Sequence, residues 1–201
     1  TADEETLPDI NDFSIAVLQN NNVQLTWNRY ADFTDGTEIA AGNYTLKATY
    51  GNIETQGFEA PYYEGAKEFS IKKNESTNIS VICYLANVKV TTEYTELFKK
   101  YFTDYTVNIR PAGSTDISFD KNETRAAYVK PGKISIYLSG SKQQGNKVTF
   151  EAATIENAKA RQHYRLKFDV QAGGTELDVS FTDETERVPI TIDISDDALN
   201  T

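Results

Sequence analysis

One histidine, one cysteine and thirty carboxylates are the groups in this 201-residue chain best suited to catalysis or metal binding. His163 precedes Tyr164 at the start of an alternating segment. As the base of a serine or cysteine triad it would need a nucleophile and a carboxylate placed around it. The chain has no Gly-x-Ser-x-Gly elbow, so His163 reads as structural. Cys83 lies in Ile79-Ser-Val-Ile-Cys-Tyr-Leu-Ala86, apolar on both faces, with nothing basic beside it to lower its pKa. It reads as a small buried core residue. A single cysteine makes no intramolecular disulfide and no thiolate cage, and a single histidine makes no histidine-based metal site. No catalytic, cofactor-binding or metal-binding residue is assigned.

The carboxylates form no ordered motif. Glu59 and Glu64 flank Pro61-Tyr62-Tyr63, Asp183, Glu184 and Glu186 crowd one loop, and Asp193, Asp196 and Asp197 lie near the C-terminus. None shows the alternating oxygen ligands, glycine and closing glutamate of a calcium loop. A glycosidase pair is a matter of spacing in the fold, and solvated surface acids are the default reading. Gly140-Ser-Lys-Gln-Gln-Gly-Asn-Lys-Val-Thr149 superficially looks like a phosphate loop. Asn146 separates glycine from lysine and the flanks read as strands, so a hairpin loop is expected. Asn43, Asn74, Asn78 and Asn122 each begin an Asn-x-Ser/Thr triplet, which a Thr-rich β protein produces by chance. The best binding candidates are aromatic: Phe58, Tyr62 and Tyr63, within Gly57-Phe-Glu-Ala-Pro-Tyr-Tyr-Glu-Gly65. The CH-rich face of a sugar stacks on such rings, and a tyrosine hydroxyl serves a polar rim. The alternative is that the rings pack their loop onto the scaffold.

The elements that must position these residues read as strands. Tyr44, Leu46, Ala48 and Tyr50 alternate with Thr45, Lys47 and Thr49 between glycines, the period-2 signature of a half-buried strand. Phe13, Ile15 and Val17, then Val23, Leu25 and Trp27 about an Asn20-Asn-Asn22 turn, predict a hairpin with the tryptophan in the core. Residues 78–92 read as one β-rich run, apolar on both faces through Leu85 and alternating beyond it, with a soft domain boundary near Ala86. Tyr94, Leu97, Phe98, Tyr101 and Phe102 fall at helical spacing, with Thr95 as N-cap and Lys99 and Lys100 near the C-terminal end. This short helix is expected to cover the open end of a sheet. Strands resume around Val107, Ile117, Ile136, Val148, Leu166, Val179 and Ile192, and Pro189 suits the last one to an edge.

The fold expected is all-β: two β-sandwich units in tandem, transthyretin-like or immunoglobulin-like, with one short helix. The expected boundaries are a lead at 1–11, a first sandwich at 12–86, a second at 87–196 and a tail at 197–201. Hydrophobic residues make up 39% of the chain, enough for a real core. A net charge of -10 disfavours phosphate backbones and anionic headgroups. The chain contains no methionine, which reads as a mature or trimmed form whose secretion signal lay upstream.

Several segments resemble a known family. Gly42-Asn-Tyr-Thr-Leu-Lys-Ala48, Gly57 to Gly65, Val81-Ile-Cys-Tyr-Leu-Ala-Asn-Val-Lys-Val90, Phe98-Lys-Lys-Tyr-Phe-Thr-Asp-Tyr105 and Ala158 to Val170 are similar to secreted Bacteroides-type lipoproteins of unknown function, labelled as cell-adhesion candidates. The similarity runs from about Phe13 to Ser195 and rests on strand and turn signatures. It implies a lipidated cysteine upstream, display on the outer membrane, and kinship with fimbrillin-like proteins that polymerise by strand exchange after cleavage at a basic residue. No Arg or Lys precedes Arg29, which points to a tip, anchor or monomeric surface role. The resemblance carries no catalytic residues and no cofactor. The partners it implies are a host or bacterial surface protein or glycan and other fimbrial subunits, with no nucleic acid. Membrane attachment is expected only through a lipid anchor absent from this chain. The expected function is therefore a non-enzymatic cell-surface lipoprotein of adhesion or fimbrial type. The alternatives are a carbohydrate-binding module of an outer-membrane glycan-capture system and a hydrolase with a carboxylate pair.

Overall fold

The computed structural model describes residues 7–34, 37–143, 145, 147–170, 177–185 and 190–194, the last two stretches through their backbone. In chain order the strands are β1 (Ser14–Gln19), β2 (Asn22–Trp27), β3 (Gly42–Tyr50), β4 (Gly57–Phe58), β5 (Tyr63–Ile71), β6 (Ile79–Leu85) and β7 (Val88–Tyr94). The helix α1 (Glu96–Tyr101) follows. Then come β8 (Phe102–Pro111), β9 (Ile117–Asp120), β10 (Ala127–Val129), β11 (Gly132–Lys142), β12 (Lys147–Ala158), β13 (Gln162–Val170), β14 (Leu177–Thr185) and β15 (Ile190–Ile194). The protein is all-β, with α1 as the one α-helix among the described residues. It divides into two compact units, Thr1–Gly51 with Tyr62–Leu85 and Arg187–Thr201, and Asn52–Pro61 with Ala86–Glu186.

The first unit holds a six-stranded sheet ordered β15-β6-β5-β3-β1-β2. Alternation of side chains dictates its inner face: Ile15, Val17, Tyr44, Leu46 and Ala48 are buried while Asn43 and Lys47 are exposed. The β1–β2 hairpin turns on Asn20 and Asn21 at φ 50° and 64°, the left-handed pair that a two-residue turn requires. Trp27 is half-buried and sits edge-on to Phe33, with ring centres 5.1 Å apart, rather than deep in the core. Strand β6 joins β5 only through Tyr63 opposite Leu85 and Glu64 opposite Tyr84. It then leaves the plane and crosses the inner face, bringing Cys83 Sγ to 3.9 Å from the carbonyl of Ala48. The sheet so folds over itself into two layers. This changes the reading of β6: Val81, Cys83 and Leu85 are buried but Ser80, Ile82 and Tyr84 are exposed, because only one face of β6 meets the core. β15 pairs with the outer edge of β6 and ends the sheet; Pro189 lies outside the described residues.

The second unit is a sandwich of a five-stranded sheet, β14-β13-β7-β10-β4, and a four-stranded sheet, β12-β11-β8-β9. All pairings are antiparallel except β13 with β7. The core lies between the sheets, with Val90, Leu166 and Phe168 from one meeting Val107, Ile136 and Leu138 from the other. The helix closes one end. Thr95 Oγ1 accepts the Phe98 amide at 3.2 Å and donates to Asp169 Oδ1 at 2.6 Å, so one side chain caps α1 and ties it to β13. Phe98 is fully buried among Tyr94, Phe102, Tyr105 and Phe168, whereas Leu97 of the same apolar stripe is 52% exposed. Two short strands, β4 and β10, carry too few residues for their periodicity to register in sequence.

Candidate functional site

The segment carrying Phe58, Tyr62 and Tyr63 is divided between the units. Phe58 belongs to the second. Gly57, at φ 146°, lets the chain enter β4, and Glu59 leaves it at φ 54°. The pair Gly57–Phe58 hydrogen-bonds to β10, with Phe58 opposite Ala127. The Phe58 ring stands edge-on to the buried Phe119 at 5.0 Å and carries the Arg125 guanidinium 4.8 Å above it. Arg125 donates to both oxygens of Glu123, at 3.0 and 2.9 Å, and to Glu59 at 3.3 Å. Hydrogen bonds from Arg125 hold the Glu123 carboxyl down at about 2 and raise the guanidinium. Upstream, Gln56 donates to Ser114 Oγ at 2.6 Å and accepts from the Lys130 amide at 2.9 Å, and Lys130 pairs with Glu54. These contacts stitch residues 54–59 onto the second unit.

Tyr62 and Tyr63 belong to the first unit. Tyr62 is half-buried and its hydroxyl donates to Glu64 Oε2 at 3.0 Å. Burial, then the hydrogen bond and charge of Glu64, pushes its phenol up to about 12. Tyr63 opens β5 opposite Tyr50 and is 3% exposed, its ring 6.3 Å from Phe13. The outward-facing part of the aromatic segment in this unit is therefore Tyr62 with its Glu64 brace.

His163 is buried, and its Nε2 lies 2.8 Å from Thr91 Oγ1 across the parallel β13–β7 pair. Cys83 is fully buried, and desolvation, followed by the charge of Glu64, pushes its thiol up to about 11. β11 and β12 pair antiparallel, Ser141 opposite Lys147, so the Gly140 to Thr149 stretch belongs to a hairpin, with Gly140 inside β11 where a Cβ would meet the Phe102 ring at 2.8 Å. No cluster of three or more His, Cys, Asp or Glu poised for a metal ion occurs among the described residues. The side chains of Asp183, Glu184 and Asp193 are not described, and Glu186, Asp196 and Asp197 lie outside the described residues. An open polar groove of about 470 Å³ lies beside the β1–β2 turn, lined by Asn20, Asn21, Thr45, Glu68 and Ser70. In it Ser70 Oγ donates to Asn43 Oδ1 at 2.6 Å. Arg125 lies in the connection between β9 and β10, and its one cue in the sequence is the carboxylate of Glu123 two residues before it.

The fold and these sites define an all-β, sandwich-type protein. The chain belongs to the family described as domain of unknown function (DUF4493), whose model matches residues 1–196. No curated protein matches it. Among solved structures it is similar to a "putative cell adhesion protein" from Bacteroides uniformis, with 12% identity over 88% of this chain and 91% of that one, at a TM-score of 0.56. It is also similar to a fimbrial assembly protein from Parabacteroides distasonis, with 12% identity over 92% and 91% and a TM-score of 0.56. At that identity the likeness is one of fold.

Proposed function

We propose that this chain is a non-enzymatic cell-surface component of adhesion or fimbrial type, held at the outer membrane by a lipid anchor and serving as a tip, anchor or monomeric adhesive subunit. The observation that carries this reading is the two-unit all-β fold, shared over about nine-tenths of both chains with the two solved structures described as adhesion and fimbrial assembly proteins. Rigid sheets present loops and edges to a partner surface, a host or bacterial protein or glycan or another fimbrial subunit. The test uses the natural protein in the organism that makes it. Antibody should label intact cells, surface proteolysis should remove the signal, and the precursor should incorporate labelled fatty acid. Deletion of the gene should lower attachment. A protein found only inside intact cells would overturn the reading.

A carbohydrate-binding module of a glycan-capture system is the second reading. The half-buried Tyr62, braced by Glu64, is the observation that favours it. A glycan array with wild type and a Tyr62→Ala, Tyr63→Ala variant decides it; equal signals from both proteins would remove these residues from the binding site.

A further inference from the structure

The outward face of the four-stranded sheet in the second unit is polar along every strand. The register places Ser118, Asn108, Tyr137 and Glu151 in one row across β9, β8, β11 and β12. Adjacent strands lie about 4.8 Å apart, so the row spans about 14 Å. On one side of it Thr106 stands opposite Ser139, and on the other Arg110 stands opposite Ser135. Tyr137 is the only aromatic residue on the outward side of these rows, and it is half-buried near their middle.

The groups around Tyr137 are fixed before any ligand arrives. Arg110 lies over the ring, 4.7 Å from its centre, and Asp116 grips the guanidinium through Nε at 2.5 Å and Nη2 at 2.9 Å. Ser118 Oγ donates to Asn108 Oδ1 at 2.5 Å, which directs the Asn108 amide NH₂ elsewhere. Thr154 Oγ1 donates to Glu151 Oε1 at 2.5 Å, leaving Oε2 as an acceptor. Ser139 and Thr149 hydroxyls meet at 3.0 Å. Such bracing lowers the entropy lost when a ligand is bound.

The chemistry of the face selects the ligand. It has no cluster of exposed apolar side chains of the kind that forms the core of a protein interface. On this face the cations Arg110, Lys133 and Lys147 are set against the carboxylates of Asp116, Asp120, Glu151 and Glu156, with Arg110 held by Asp116 and Lys133 by Glu156, so no net positive charge draws an anionic polymer. An aromatic ring ringed by planar amide, carboxylate and guanidinium groups matches a molecule with apolar CH faces and many hydroxyls. We propose that this face binds a neutral oligosaccharide, stacked on the side of the Tyr137 ring that Arg110 leaves open, with Asn108, Glu151 and Arg110 as partners for its hydroxyls. The proposal deepens the surface reading by naming a ligand class, at a site separate from Tyr62.

The test is calorimetric titration of the purified chain with neutral hexasaccharides of the cello, malto, manno and xylo series. Wild type should bind at least one of them. Tyr137→Ala should weaken binding at least about tenfold, Glu151→Gln and Asn108→Ala should each weaken it several-fold, and Leu97→Ala, exposed on α1, should leave it unchanged. Circular dichroism melting checks that each variant is folded; if Tyr137→Ala is not, the other two decide. No binding by wild type, or equal binding by the folded variants, overturns the proposal. Loss of binding in Tyr62→Ala with retention in Tyr137→Ala overturns it too. The surface reading is tested on cells and stands or falls separately.

Discussion

Gly65 sits against the backbone of Ile82 so closely that no side chain fits between them. A Cβ at Gly65 would lie 2.2 Å from the Ile82 carbonyl oxygen and 3.0 Å from Cys83 Sγ. This contact is where β6 crosses the inner face of its sheet, so it sets the spacing of the two layers in the first unit. Backbone cannot move aside as a flexible side chain can. Gly65→Ala should therefore destabilise the first unit by an amount at or above the upper end of the about 1–3 kcal/mol typical of overpacking. Denaturant titration measures it, and a midpoint equal to wild type would refute the crossing.

Phe98 and Leu97 are neighbours on one short helix with opposite fates, the first fully buried and the second 52% exposed. Phe98→Ala removes a ring packed against Tyr94, Phe102, Tyr105 and Phe168 and should cost about 3–5 kcal/mol. Leu97→Ala should change stability by no more than about 0.5 kcal/mol. Paired thermal and urea melts compare the two. Similar losses in both would mean that the helix lies differently on the sandwich.

Thr95 serves two partners at once, capping α1 through Phe98 and donating to Asp169. Thr95→Ala should cost about 1–2 kcal/mol, the usual range for a lost cap. Thr95→Ser retains the hydroxyl and should recover most of that loss. Equal melts for the Ala and Ser variants would show that the hydroxyl is dispensable.

The helix and its cap were legible in the sequence because both signals are local: a 3.6-residue stripe and a threonine three residues before a buried phenylalanine. The alternating strands were legible for the same reason, since β3 buries one face and wets the other. What the sequence withheld depends on distant partners. β6 looks apolar on both sides, and only its path across β3 and β5 leaves Ile82 and Tyr84 in solvent. Phe58 reads as a binding ring until Phe119 and Arg125, brought in from far along the chain, close on it. Tyr137 and its neighbours Asn108 and Glu151 come from three strands, and their meeting follows from register alone.

Arg125 and Glu123 make a pH-sensitive brace. The folded-state value of Glu123 is about 2, against an ordinary 4.5. A depressed carboxyl contributes stability above its unfolded value and loses it as pH falls through the folded one. The stability difference between wild type and Glu123→Gln should therefore be constant above about pH 5 and shrink between about pH 4.5 and 2. Added salt should shrink it at neutral pH as well, because Arg125 is half-exposed. Urea titrations at stepped pH follow this; a difference that persists at pH 2 would place its origin in packing instead.

Cys83 reports on the opening of the first unit. Its thiol is fully enclosed between β6 and the backbone of Ala48, and with a value near 11 it carries little thiolate at pH 8. A disulfide reagent must wait for the layers to part, so labelling should run orders of magnitude slower in the native protein than in denaturant, and at a rate set by local opening. Gly65→Ala weakens the same layer contact and should speed the reaction markedly. Cys83→Ser places a hydroxyl where the nearest acceptor distance is 3.9 Å, too long for a hydrogen bond, and should cost about 1–3 kcal/mol. Cys83→Ala leaves no polar atom unpaired and should cost less. A native chain that labels as fast as a free thiol would mean that β6 does not lie over β3.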